Sequence, residues 1–319
     1  MSSNSLPVRN FAAWFIAGGC LLAALLIKPV QDRIEERLQI HSVDPDTLYF
    51  SSPAGMKRLA MGYDSVLADI YWMRAIQYYG RRDEADKRPV RYKNLSALLQ
   101  ITVALDPNML DAYRAGSYFL AEPDPIGAGQ PEEALRLLDA GIKRMPHEWR
   151  LLYDKGFIFY WFVEDYQAAG QCWLSASRIA GAPEWMEGLA ASSLSKGGAV
   201  ETAKTLWQRQ YQESDRADLK ENARNHLFSI QIAEHLWALE YFIERYREKT
   251  STYPSELNDL VRAGFLVALP VDPLGNPYEY DPRTGFVDRN PDSKITYLGA
   301  PPGYREDFLE NLKKLVESR

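Results

Sequence analysis

The 319-residue chain is poor in the residues on which small scaffolds and many active sites are built. Two cysteines, Cys20 and Cys172, cannot make a disulfide framework. Four histidines, His41, His147, His226 and His235, are scattered, and no H-E-x-x-H, paired C-x-x-C, G-x-S-x-G or phosphate-cradling glycine loop occurs. His226 and His235 stand nine residues apart, on opposite sides of any helix that holds both, so they are poor co-ligands. His235 beside Glu234 reads as a helix-surface pair. Basic residues are not in excess: 37 Lys and Arg face 43 Asp and Glu, a net charge of −6, which argues against a general affinity for nucleic acid. The basic stretch Arg81, Arg82, Lys87, Arg88, Arg91 and Lys93 is interleaved with Asp83, Glu84 and Asp86 and reads as a solvated loop. No catalytic residue, metal or cofactor is expected.

What is present is apolar and aromatic: 46% of the residues are hydrophobic and 12% aromatic, enough for a sizeable core. Residues 11–27, FAAWFIAGGCLLAALLI, carry no charge, and Lys28 at the end of the run can snorkel to an interface. The apolar run continues past the lipoprotein-like AGGC at 17–20, so residues 11–30 are expected to stay as an uncleaved transmembrane anchor behind a tail at 1–10. Charges flanking the run are mixed. A short leading tail stays inside, so the bulk of the chain is expected outside the cytoplasm, as a single-pass protein of a bacterial inner membrane. Turn formers mark a connector at 31–60, helical patterning runs from 62 to 248, and Pro, Gly, Asp and Tyr cluster at 250–300. Residues 301–319 contain a last amphipathic helix, with Phe308, Leu309, Leu312, Leu315 and Val316 at helical spacing.

Within 61–225 the spacing repeats. Ala134, Ala168 and Ala203 are 34 and 35 residues apart, and Gly156 and Ala191 each precede one of them by 12. Gly116 precedes Ala134 by 18, with the turn-rich PDPIGAG of 123–129 as the insertion. Small residues there let two antiparallel helices approach closely, while aromatic and leucine side chains fill the remaining layer. This pattern resembles the tetratricopeptide repeat, in three units over about 109–215 and a degenerate one at 62–107. The resemblance implies a mainly α, solenoid-like stack whose first helices line a concave face. Mapping inward positions gives Tyr113, Ser117, Arg150, Tyr153, Phe157 and Tyr160 as a partner-binding groove. Tyr and Arg bury area at small entropy cost and still offer hydrogen bonds.

Residues 226–300 carry an ordered set of turn signals after an apolar helical stripe of Leu236, Leu239, Phe242, Ile243 and Tyr246. Tyr253, Pro254 and Leu257 lead into a short helix over Ser255–Ala263, closed by Gly264. Pro270 is followed by the tight turn Asp272, Pro273, Leu274, Gly275, then Pro277 and Tyr278. Strands are expected at 278–280 and 286–287, with a third at 294–298. The order resembles the globular part of the major pseudopilins of type II secretion and type IV pilin relatives, over about a quarter of the chain. That family usually has tryptophan where Leu274 stands, and this N-terminus lacks the pilin cleavage pattern, so polymerisation as a pilin is not implied. A small α+β module is. Asp288 and Asp292 follow the sheet where some pseudopilins bind calcium, but the loop is short and they read as solvated carboxylates.

Together these patterns lead us to expect a membrane-anchored adaptor or scaffold of the cell envelope, with protein partners of the pilin-like or secretion-platform kind, no nucleic acid, and lipid contact through 11–30. An envelope hydrolase using carboxylates between the repeats and the module, or a purely structural role for that module as a cap on the last repeat, are the alternatives.

Overall fold

A computed structural model describes residues 28, 29, 33, 52–80 and 92–318. The apolar run 11–27, most of the connector and the charged stretch 81–91 lie outside the described residues. Among those described, no helix is long and apolar enough to cross a membrane. Ser51–Arg319 forms one compact unit, and the account below concerns it.

The unit is mainly helical. In chain order it comprises α1 (Pro53–Leu59), α2 (Asp64–Tyr79), α3 (Leu95–Leu105), α4 (Leu110–Ala121), α5 (Pro131–Arg144), α6 (Trp149–Ile158), a π-turn (Phe159–Val163), α7 (Tyr166–Ser177), α8 (Trp185–Lys196), α9 (Val200–Glu213), α10 (Ala217–Thr250), α11 (Asn258–Arg262), β1 (Glu279–Asp281), β2 (Phe286–Asp288) and α12 (Tyr304–Glu317). Local chemistry sets the boundaries. Pro131 opens α5, Glu132 and Glu133 occupy its first turn, and Lys143 and Arg144 its last, each sign at the end of the macrodipole that favours it. The Asp165 carboxylate caps α7 by accepting from the Ala168 amide at 2.8 Å.

Packing is dominated by sequence neighbours: α2 on α3, α4 on α5, α6 on α7, α8 on α9. Small residues make these contacts possible. A Cβ at Gly116 would stand 2.7 Å from a Leu99 methyl, and one at Gly141 would stand 2.9 Å from the Tyr113 ring. At Gly156 it would meet the Trp173 indole at 2.4–2.9 Å, while that indole donates to the Tyr153 carbonyl at 3.0 Å.

The 34-residue spacing expected from sequence acquires a correction at its second alanine. Ala134 and Ala203 are fully buried, but Ala168 is only partly so, and Ala169 takes the buried position. Ala134, Ala169 and Ala203 each stand four residues after the helix cap, at Gln130, Asp165 and Ala199. The shift by one has a local cause. The π-turn of Phe159–Val163 takes up one residue more than an α-helical turn, and Glu164, at φ 60°, ends it in the left-handed region.

α10 spans 34 residues, about 51 Å at 1.5 Å per residue. Up to Ile230 it contributes Ala223 and Ile230 to a core shared with α7, α8 and α9; from Ile232 onward it contributes Ile232, Leu239, Phe242 and Ile243 to a core with Leu260, Tyr278 and Val287. The boundary expected at 225/226 therefore falls inside a continuous helix. The expected short helix at 255–263 is reduced to Asn258–Arg262, with Gly264 at φ 78° beyond it. β1 and β2 pair antiparallel, Tyr280 opposite Val287. Residues 294–298 are not a strand. Instead Leu298 donates its amide to Ser229 Oγ at 2.9 Å, and Ile295 and Tyr297 pack on the second core. α12 covers both cores, with Tyr304 and Phe308 on the first, Leu312 and Val316 on the second.

Gly156→Ala should destabilise the unit by about 1–3 kcal/mol, because the lost approach outweighs the better helix propensity of alanine. Urea unfolding followed by circular dichroism checks this. A midpoint at or above that of the parent protein would mean the indole yields freely.

Candidate functional site: an aromatic helix face and an aspartate-centred turn

The groove residues expected from sequence divide into two groups. Tyr153, Phe157 and Tyr160 lie together on α6 and the π-turn and are partly exposed. Their rings form a connected set: Tyr153 with Trp173 at 6.3 Å and with Trp185 at 6.0 Å, Phe157 with Trp161 at 6.2 Å, Tyr160 with Trp161 at 5.2 Å. Arg150 stands at the start of α6, but its guanidinium is held by the Glu148 carboxylate at 2.6 and 2.8 Å.

Tyr113 and Ser117 belong elsewhere. Tyr113 is 2% exposed, its ring against Gly141 and its hydroxyl donating to the Pro107 carbonyl at 3.3 Å. Ser117 is fully buried and donates to the Arg114 carbonyl at 2.7 Å. They face the α4–α5 interior, so the mapping erred on α4 by one residue, a rotation of about 100° on a helix. The neighbours Arg114 and Tyr118 hold the outward register. Tyr118 meets Phe157 edge-on at 5.3 Å.

Behind that contact lies the fully buried Asp154 carboxylate. Arg114 donates to it through Nε at 2.6 Å and Nη2 at 3.2 Å, and the Tyr118 hydroxyl donates at 2.9 Å. Burial pushes the Asp154 carboxyl up, against the lowering effect of Arg114. Burial and the Asp154 charge push the Tyr118 hydroxyl up as well. Arg114 and Asp154 stand 40 residues apart, on α4 and α6, a spacing that does not by itself single the group out.

The π-turn sequence Phe-Tyr-Trp-Phe-Val places Trp161 outward, 62% exposed. Lys196 stands 3.9 Å from the Tyr166 ring centroid and 4.8 Å from that of Tyr160, and donates to the Tyr160 hydroxyl at 3.3 Å. The arrangement is a rigid aromatic surface with a cation at its edge. Burial pushes the Cys172 thiol up to about 11, so it is not an activated nucleophile.

The residues of the C-terminal motif are brought together. Tyr253, Leu257 and Tyr278 pack in the second core, and the Tyr280 hydroxyl donates to the Pro254 carbonyl at 2.9 Å, tying the tyrosine-proline segment to the sheet. Burial pushes Tyr280 up to about 12. Gly285, at φ 75°, lies where a Cβ would enter the Tyr253 ring at 2.4 Å. The turn after Pro270 closes with the Gly275 amide donating to the Asp272 carbonyl at 2.8 Å and an isolated bridge between Val271 and Pro277. Pro273 lies within that turn and Leu274 is 54% exposed. The Asp272 side chain is 5% exposed and accepts from the Leu274 amide at 2.9 Å, the Asn276 amide at 2.8 Å, the Asn276 side chain at 3.0 Å and Ser293 Oγ at 2.6 Å. Burial opposes ionisation, but these donors outweigh it and hold Asp272 below the usual carboxylate range.

His235 is not a surface pair with Glu234. Its Nδ1 meets the Tyr278 hydroxyl at 2.9 Å, and burial pushes its pKa down, so it serves as a neutral core histidine. His226 stacks on Trp207 at 4.2 Å. Among the described residues, no group of three or more His, Cys, Asp or Glu is placed to hold a metal ion. No protein-family model, curated protein or solved structure matches the chain.

Asp272→Ala should cost about 1.5–3 kcal/mol, the worth of charge-assisted hydrogen bonds with their donors left unpaired. Because the folded carboxyl titrates below its unfolded value of about 3.9, its contribution is fully present above that value and fades as pH falls through the folded pKa. Acid unfolding followed by near-ultraviolet circular dichroism should show the parent-minus-variant stability gap shrinking below about pH 4. A gap independent of pH would mean the Asp272 charge contributes nothing.

Proposed function

We propose that this protein is a membrane-anchored, tetratricopeptide-like helical-repeat adaptor of the bacterial cell envelope, acting in pilus-like or type II secretion-like assembly and not as an enzyme. The observation that carries the reading is the exposed aromatic face around Trp161. Rings of α6, the π-turn and Trp185 are fixed by mutual packing, with Lys196 at the edge. Such rings bind protein segments at low entropic cost because little side-chain freedom remains to be lost. The sequential pairing of helices supports a repeat stack, and the buried positions of Ala134, Ala169 and Ala203 support its period. The ordered tyrosine-proline and aspartate-proline turns support a pseudopilin-like module, whose outer hairpin face presents Phe286, 62% exposed. The uncharged run 11–27 supports an anchor, with the repeats outside the cytoplasm.

Crosslinking the full-length protein in native membranes and identifying what it captures tests the reading. Pilin-like or secretion-platform subunits should be recovered with the parent protein. Trp161→Ala should lower recovery by roughly tenfold or more without shifting the melting temperature, as for an exposed hot-spot residue. Equal recovery from parent and variant would overturn the role of the aromatic face. Alkaline phosphatase fused after Arg319 should be active; an inactive enzyme there, with a working cytoplasmic reporter, would overturn the envelope assignment.

A further inference from the structure

Helix α2 is apolar on two opposite faces. Its sixteen residues, DSVLADIYWMRAIQYY, include only three charged ones, Asp64, Asp69 and Arg74. Ala68, Tyr71, Ala75 and Tyr78, spaced by three and four, are buried, and α3 is the main neighbour of the helix. Val66, Ile70 and Met73 are also spaced by four and three, yet all three are exposed. At 100° per residue the two stripes lie roughly opposite each other. A helix on a protein surface keeps its outer face polar, whereas one that is apolar all round is covered on both sides.

The turn leading into α2 adds to the outer stripe. Tyr63 is 70% exposed and belongs to the first helical turn, where its carbonyl accepts from the Leu67 amide at 3.0 Å. Its spacing of three from Val66 puts it on the outer side. Before it come Leu59, exposed at the end of α1, and Met61, 85% exposed. Met61 stands at φ 45°, a left-handed conformation that a bulky side chain rarely adopts, and Gly62 follows at φ 92°. The turn thus holds a large apolar side chain out of the fold. Lys57 and Arg58 are exposed beside it, in the last turn of α1.

We infer that the α1–α2 turn and the outer stripe of α2 lie in the interfacial zone of the lipid bilayer, so that the unit rests on the membrane by its first helices. This inference rests on the anchor in the proposed function. Twenty-two residues, 31–52, separate the expected anchor 11–30 from α1, a stretch that can span at most about 80 Å. A contact on the same bilayer is therefore made by a surface already held near it, and a weak apolar face suffices once a second attachment exists. The chemistry fits that zone. Tyrosine settles at the headgroup level, Met61 and the stripe reach the acyl boundary, and Lys57 and Arg58 suit the phosphates above it. With 16 residues α2 is too short to cross a bilayer and lies along it. A repeat stack also needs a polar outer face on its terminal helices to stay in water, and this end lacks one. The surface is separate from the aromatic face of α6, so one unit meets lipid and protein through different helices.

The test is power-saturation electron paramagnetic resonance on the full-length protein in vesicles of phosphatidylcholine with phosphatidylglycerol. Nitroxide labels are placed at Met61→Cys, Val66→Cys and, as an exposed reference, Glu213→Cys, in a background of Cys20→Ala and Cys172→Ala. Oxygen concentrates in the bilayer and a nickel chelate stays in water. The oxygen-to-nickel access ratio should be several-fold higher at 61 and 66 than at 213. Ile70→Asp, at an exposed position, should lower the ratio at 61 several-fold without shifting the melting temperature, because a carboxylate resists transfer to the interface. Equal ratios at all three positions, or a ratio at 61 indifferent to Ile70→Asp, overturn the inference. Low access to both reagents with spin–spin broadening also overturns it, since a second copy of the chain then covers the face. Flotation of the same vesicles separates the inference from the reading beneath it. If the protein floats but the labels stay in water, the inference alone fails. If the protein does not float, the anchor fails and the inference with it. If the labels are in lipid while crosslinking recovers no envelope partner, the inference stands and the adaptor role fails.

Discussion

Close approach of paired helices is the constraint on which the rest of this structure depends. A helix of three or four turns is marginal by itself and must bury its apolar stripe against a neighbour. Here the burial works by placing a large side chain of one helix over the bare backbone of the next: Tyr113 over Gly141, Trp173 over Gly156, Leu194 over Gly170. Each contact orients the partner helix and fixes which residues are left facing outward. The aromatic face around Trp161 exists because Trp173, locked over Gly156 and bonded to the Tyr153 carbonyl, supports Tyr153 and Tyr160 from behind.

This interlock explains what was legible in the sequence. The small residues at 116, 156 and 191 and the alanines at 134 and 203 are set by sterics, and steric need leaves a trace in spacing. The Asp-Pro-x-Gly turn was legible for a similar reason: Asp272 must accept the amides of Leu274 and Asn276, and few residue types can do so. The helix at the C-terminus was visible in its stripe, and it spans the residues expected.

What was not legible depends on events that leave no periodic trace. The π-turn moves the buried alanine from 168 to 169, yet nothing in Phe-Tyr-Trp-Phe-Val announces a widened turn. On α4, Tyr113 and Tyr118 are both aromatic at plausible inward positions; only the presence of Gly141 across the interface makes Tyr113 the buried one. His235 was misread because a histidine beside a glutamate looks solvated until Tyr278, 43 residues away, is brought to its Nδ1. The third strand failed because residues 294–298 find partners on α10, where Ser229 accepts the Leu298 amide, and not on the hairpin.

The uninterrupted course of α10 has a mechanical consequence. Two cores that could have been joined by a flexible linker share a single helical shaft instead, with its backbone hydrogen bonds running through the junction between Ile230 and Ile232. No hinge is available there, since bending a helix sharply needs a proline, a glycine pair or a bulge, and none interrupts α10. A tug on the hairpin is therefore delivered along the shaft to the last helix pair as torque and axial load. α12 acts as a brace across the same junction: the Tyr304 hydroxyl donates its proton to Glu234 at 2.6 Å and lies 3.0 Å from Glu201, and Lys204 bridges those two carboxylates. Displacement at one end meets no joint before it reaches the other, a property of a lever more than of a pair of tethered domains.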